Sequence, residues 1–358
     1  MYIYIMFSFI IIIILFLKMV NFSKKIRGMS FAFYLIFLSI ILSSFYIKID
    51  TAVGADWHLY RMGFESNISI TNLSDEVALD YLNIFIRTFT KKYFIAFSIY
   101  MFIINFFVLK GIYNYSKNIE FSIIIYICIS IFTIALNITR QCFAVSIFFF
   151  STIFLFEKKY FYFIIFFFIM FQFHQSIVVP ALIILFVIKF NDYIYNRYFS
   201  FIILLQSLFL IEPIIQKIGV SLFYEDYLNN SFTYGSNILH YIVQISICLF
   251  YYLNKKYIYN RTQKIMIIFS SFGTLFTLLG LKMVLYNRIA LYFTIFHIVN
   301  ITNILNNYPF KFRRLISYIL LILFIGYLFL VNLKNIAHMD NYFFDLLFVI
   351  KLVLIHTV

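Results

Sequence analysis

YFYFIIFFFIMFQFHQSIVVPALIILFVI, residues 160–188, decides how this chain is threaded. The run is apolar except around Gln172, His174, Gln175 and Ser176. A bilayer span takes about 20 residues, so the run is too long for one upright helix and short for two. As one tilted helix it would place Lys255, Lys256, Arg261, Lys264, Lys311, Arg313 and Arg314 on the opposite side from the other cationic loops. Breaking it near His174-Gln175 into 160–172 and 177–188 keeps all of them on one side. The break is therefore expected, and the two short halves fit a re-entrant pair. Irregular backbone at membrane depth is tolerated only where protein or a water-filled cavity surrounds it.

Outward from this joint, apolar segments recur at 1–17, 29–47, 93–109, 119–139, 142–156, 198–215, 237–253, 265–285, 289–305 and 315–331. A last one, 343–356, spans or lies in the interface. The chain is 64% hydrophobic and 12% charged, against about 25% charged for a soluble domain. The expected fold is all-α: a polytopic transmembrane helix bundle of about 12–13 membrane segments, forming a single integral-membrane domain over residues 1–358. Residues 1–17 lack a basic n-region and a small-residue cleavage site, and read as a retained first span.

The formal charge of +14 is explained by sidedness. Lys18, Lys24, Lys25, Arg27, Lys110, Lys117, Lys158, Lys159, Lys189 and Arg197 fall in alternate loops, together with the cations named above. That is the bias of cytoplasmic loops and calls for no nucleic-acid partner. Cys128, Cys142 and Cys248 share no metal-ligand spacing and read as packed thiols; no metal site and no cofactor is expected. No inner loop exceeds roughly a dozen residues, and no Gly-rich phosphate loop occurs. An activated substrate must then arrive attached to lipid or carried by another protein.

Two external loops have room to fold, 48–92 and 216–236. In the first, Ser74 is a candidate cap for an amphipathic helix near 74–92, with Asp75 and Glu76 in its first turn. Ala78, Leu82, Phe85 and Phe89 form its apolar stripe, and Arg87, Lys91 and Lys92 close it.

Four polar points are expected to share the outer side. The first is the island Gly54-Ala55-Asp56-Trp57-His58-Leu59-Tyr60-Arg61. The others are Arg140-Gln141, His174-Gln175 and Tyr286-Asn287-Arg288. Arg140 and Arg288 are each bracketed by apolar runs and read as residues at turns between spans. A guanidinium fork suits a pyrophosphate, whereas a lone arginine there is also explained by snorkelling to headgroups. Asp56 is a candidate general base on a sugar hydroxyl; a solvated Asp56 paired with Arg61 is the bland alternative. His174 is the second candidate base. Arg61 and Lys282 are candidate anion contacts. His58, Tyr60, Gln141, Gln175, Tyr286, Asn287 and Tyr292 are candidate sugar contacts, although aromatics here also fit an interfacial belt.

The ordered set Gly54-Ala55-Asp56-Trp57-His58-Leu59-Tyr60, Arg140-Gln141-Cys142-Phe143-Ala144-Val145-Ser146, Phe173-His174-Gln175-Ser176 and Arg288-Ile289-Ala290-Leu291-Tyr292-Phe293 resembles the EpsG family. EpsG proteins are bacterial polysaccharide polymerases allied with the Wzy O-antigen polymerases. The resemblance implies a multi-pass enzyme of the bacterial cytoplasmic (inner) membrane. It would act on undecaprenyl-pyrophosphate-linked oligosaccharides, as donor and acceptor, to build O-antigen, capsule or exopolysaccharide. Besides the lipid bilayer, a chain-length regulator and a flippase are candidate partners. Two other classes stay open: a flippase for the same units, and a membrane O-acyltransferase or glycan ligase.

Overall fold

The computed structural model describes residues 57–66, 76–129, 131–135, 137–208, 238–282 and 284–333. The expected segments 1–17, 29–47 and 343–356, the loop 216–236, and Asp56, Ser74 and Asp75 lie outside the described residues. Among the described residues every regular element is helical. The helices are α1 (Trp57–Glu65), α2 (Val77–Arg87), α3 (Tyr93–Tyr115), α4 (Ile119–Cys128), α5 (Ile131–Ile134), α6 (Thr139–Phe156) and α7 (Tyr160–Phe173). After them come α8 (Val178–Asn196), α9 (Tyr198–Ser207), α10 (Ile238–Leu253), α11 (Arg261–Leu279), α12 (Val284–Thr294), α13 (His297–Asn306) and α14 (Phe310–Leu333). Five stretches are long and apolar enough to cross a bilayer: Tyr93–Tyr115, Thr139–Phe156, Gln175–Asn196, Arg261–Leu279 and Leu285–Asn306. The chain is an all-α polytopic membrane bundle.

Two helices form its centre. α6 packs on α3, α7 and α12, and α11 packs on α8, α9, α10, α12 and α13. Aromatic rings fill the space between them. Phe148 meets Phe269 at 5.7 Å and Tyr292 at 6.0 Å, and Phe149 meets Phe296 edge-on at 5.1 Å. Phe148, Phe149, Phe269 and Phe296 are fully buried and form part of the core. The outer faces of α7, α8 and α14 leave Phe161, Phe168, Leu182, Phe186, Ile322 and Leu323 exposed. So much exposed apolar surface on a folded chain belongs in hydrocarbon.

The cationic loops gather at one end. The Lys117 amide donates to Asn303 Oδ1 (2.8 Å), and its Nζ to Asn307 Oδ1 (2.8 Å). Asn307 Nδ2 donates to the Tyr257 carbonyl (2.6 Å), and Lys255 Nζ to the Asn196 carbonyl (3.3 Å). Lys158 takes a left-handed φ of 60° in the tight turn joining α6 to α7 at this same end. The other end holds the starts of α6 and α8 and the end of α7.

The long run at 160–188 is broken where its polar residues stand. His174 is extended (φ −162°, ψ 117°) and ends α7, and a 3-10 turn over Gln175–Ile177 leads into α8. The halves are unequal, however. α7 has 14 residues, a rise of roughly 21 Å, short of the hydrocarbon thickness. α8 runs past 188 to Asn196 and, with its 3-10 lead, makes a full span.

Other expectations are corrected. The segment 119–139 is not one helix: α4 ends at Cys128 and the four-residue α5 follows. The segment 289–305 starts earlier, at Val284, and is interrupted between α12 and α13. Arg288 therefore sits inside α12 rather than at a turn between spans. The helix near 74–92 is shorter, running from Val77 to Arg87, and its other face carries buried polar groups. Leu79, Asp80, Asn83 and Ile86 face the protein, while Phe85 and Phe89 are exposed, at 62% and 75%. Asn83 accepts a hydrogen bond from Tyr100 Oη on α3, and Arg87 donates to the Ser66 carbonyl after α1. Docking gives the polar face of α2 these partners, and the phenyl rings are left for the lipid interface.

Candidate functional site

Arg140 stands in the first turn of α6. Its backbone amide, one of the orphan donors of a helix start, is met by Tyr60 Oη of α1 at 3.4 Å. Three residues on, Phe143 stacks flat on Phe173 (centroids 4.6 Å apart, planes 8° apart). Phe173 precedes His174, so one ring pair holds the start of α6 against the end of α7. Such a stack contributes about 0.5–1.5 kcal/mol beyond burial.

Glu76 joins the two. Its Oε1 lies 2.6 Å from His174 Nδ1 and accepts the Gln175 amide at 3.2 Å. Its Oε2 lies 3.8 Å from Arg140 Nη1. Glu76 stands at the N-cap of α2 yet makes no side-chain cap bond there; the carboxylate is turned to the bundle instead. Burial favours its neutral form, but the His174 hydrogen bond and charge, the Gln175 amide and Arg140 outweigh that and hold its carboxyl below the ordinary 4.5. It is ionised at neutral pH. An ionised carboxylate only accepts, so Nδ1 of His174 carries a hydrogen.

The fourth polar point joins through Gln141 and Ser176. Gln141 Nε2 donates to the Arg288 carbonyl, and Ser176 Oγ to Tyr292 Oη (3.3 Å). Arg140 and Arg288 thus lie on neighbouring turns at the same end of the bundle, opposite the cationic loops. Arg140 Nε, Gln141 Oε1, His174 Nε2 and Asn287 Oδ1 are buried with no hydrogen-bond partner. Each such atom costs about 1–3 kcal/mol, and a ligand received here would supply the missing partners.

The described contacts do not join every candidate to this cluster. Arg61 pairs with Glu65 along α1 at 2.8 Å. Lys282 is exposed in the turn after α11. Tyr286 is buried. Tyr292 is fully buried with its edge on Phe148, so it packs the core and does not offer a stacking face. His58 lies in the first turn of α1, but its side chain, like Asp56, is outside the described residues. Gln175 takes part through its backbone. Among the described residues, no three His, Cys, Asp or Glu side chains gather as a metal site.

Asn287 does structural work. Its Nδ2 donates to the Gly280 carbonyl at 3.0 Å, tying the first turn of α12 to the end of α11. A Cβ at Gly280 would overlap the Asn287 carboxamide. Gly280→Ala is expected to eject that side chain and loosen the turn bearing Arg288. Activity at the site should fall about tenfold, with protein abundance retained, as read from product formed at matched expression. Unchanged activity would show that this turn does not position the site.

Glu76 is the residue that sequence reasoning missed, being read as a helix-dipole acid. Its signal was slight: a carboxylate at a helix start, of a type less favoured as a cap than Ser, Thr, Asp or Asn.

The chain matches the model of the EpsG family over residues 33–345, most of its length. This chain belongs to the EpsG family. EpsG is a Wzy-like polymerase family, so a polysaccharide-polymerase role in a multi-pass membrane protein follows. No curated protein and no solved structure matches the chain.

Proposed function

We propose that this EpsG protein is a glycosyltransferase that polymerises undecaprenyl-pyrophosphate-linked repeat units at the outer face of the bacterial cytoplasmic membrane. The growing chain, on its lipid pyrophosphate, is the donor. A single lipid-linked unit is the acceptor, and its non-reducing hydroxyl attacks the donor's anomeric carbon while lipid pyrophosphate leaves. Arg140 and Arg288 bind the departing diphosphate, and His174 or Asp56 receives the hydroxyl proton. A flippase delivers the units, and a chain-length regulator limits the product.

The observation that carries this reading is the meeting of Arg140 and His174 at Glu76, at the end of the bundle away from the cationic loops. A cation for a leaving diphosphate and a base for the hydroxyl proton are the two groups that glycosyl transfer from a lipid diphosphate calls for, and Arg140 and His174 supply them. The test is complementation of a polymerase-null strain with His174→Ala, scored by surface-glycan ladders. The wild-type chain restores long glycans, and the variant leaves single capped units. Loss of all surface glycan from the null strain would instead indicate a flippase, and full ladders from His174→Ala would remove the proposed base.

A further inference from the structure

Glu76 binds both polar groups of the site, one with each oxygen. Oε1 receives the His174 ring and the next backbone amide, and Oε2 faces Arg140. The two contacts on Oε1 fix the imidazole and the extended turn that carries it. α2 itself is held by Asn83 to α3 and by Arg87 to the end of α1, so the carboxylate is presented from a docked helix rather than a loose loop. With Nδ1 bonded to a carboxylate, neutral His174 has its lone pair on Nε2, the buried ring nitrogen without a partner.

We propose that Glu76 is the positioning residue of the polymerisation site, holding His174 in the tautomer whose Nε2 accepts the acceptor-hydroxyl proton. The inference rests on the polymerase reading above and deepens it. In the step, the acceptor oxygen forms its bond to the anomeric carbon as its proton passes to Nε2. The anomeric C–O bond to the diphosphate breaks, and its electron pair leaves with the lipid diphosphate, which Arg140 meets. The imidazolium, stabilised by Glu76, later gives the proton to solvent. The net change is hydroxyl plus glycosyl diphosphate to glycoside, lipid diphosphate and one proton. The charged and titratable groups around His174 are Glu76 from α2 and Arg140 from α6. Tyr292 of α12 is reached through Ser176, and Arg288 of α12 through Gln141.

The test uses the full chain in membranes with purified lipid-linked repeat units, measuring kcat and KM per molecule of folded protein. Glu76→Gln is expected to lower kcat by about 100-fold with little change in KM. Glu76→Asp keeps the acceptor but shortens the reach; kcat should fall roughly 10-fold, again with KM in place. A merely structural Glu76 would move abundance and leave kcat per folded molecule alone. Glu76→Gln with unchanged kcat, while His174→Ala is inactive, overturns this inference and leaves the polymerase reading standing. If Glu76→Gln does not accumulate, Glu76→Asp decides, and unchanged kcat in that variant overturns the inference too. Full activity of His174→Ala removes the base itself, and the proposed site with it.

Discussion

Arg140→Ala membranes are expected to make single capped units and no ladder, with the polymerisation rate down about 10²–10³-fold, or ~3–4 kcal/mol of transition-state stabilisation. The size of the effect follows from the position. Arg140 is in the first turn of α6, where the helix dipole adds to the guanidinium charge on a bound anion. Its side chain is 35% exposed, so part of it is open to a ligand, while Nε is buried with no partner. Glu76 is 3.8 Å away on one side and does not saturate the fork. Arg140→Lys keeps the charge but not the paired donors, and is expected to restore only part of the rate. Folding should be little affected, because the Glu76–His174 contact and the Phe143–Phe173 stack do not need the guanidinium. The assay is the glycan ladder at matched abundance. Normal ladders from Arg140→Ala would end its assignment to the diphosphate.

The second large effect concerns the bundle itself. At Gly111 a Cβ would lie 2.5 Å from Phe149 Cδ1 and 2.6 Å from Cε1. That ring is fully buried, edge-on to Phe296 at 5.1 Å and 5.7 Å from the Tyr115 ring. Tyr115 is in turn bonded to Thr152 at 2.7 Å. The ring cannot swing toward either neighbour without displacing Phe296 or Tyr115. Small residues at membrane helix crossings allow this closeness of backbones. Gly111→Val should therefore destabilise by about 1–3 kcal/mol or more, seen as a clear fall in melting temperature in detergent. Gly111→Ala should lie between it and wild type. A melting temperature unchanged in Gly111→Val would mean that α3 and α6 are not packed this closely.

These two residues show unequal legibility in the chain. Arg140 was visible because a charge between apolar runs is costly and conspicuous. Gly111 carries no such mark; its role depends on which ring of another helix arrives opposite it. Glu76 is similar. Its partner His174 is 98 positions away in sequence, and a carboxylate near Ser74 and Asp75 has an adequate local explanation as a helix-start acid. The exposed Phe85 and Phe89 of α2 fit an apolar stripe that faces lipid, where they lose nothing by pointing outward. What the sequence did not mark is the opposite face, where Asn83 meets Tyr100. Tyr292 suits a sugar contact by residue type, but its neighbours Phe293 and Phe296 carry it into the core.

The amino-acid sequence by itself determined that the chain is a helical membrane bundle, that its cationic loops fall on one side, and that the run at 160–188 is broken at His174. These are sums over local transfer free energies, and each is readable within one window of residues. Only the tertiary structure decided that Glu76 holds His174 and Arg140, that Gln141 reaches the turn of Arg288, and that Tyr292 is packing. Those contacts arise from the crossing of helices distant in sequence, and no local free energy specifies which side chains a crossing will bring together.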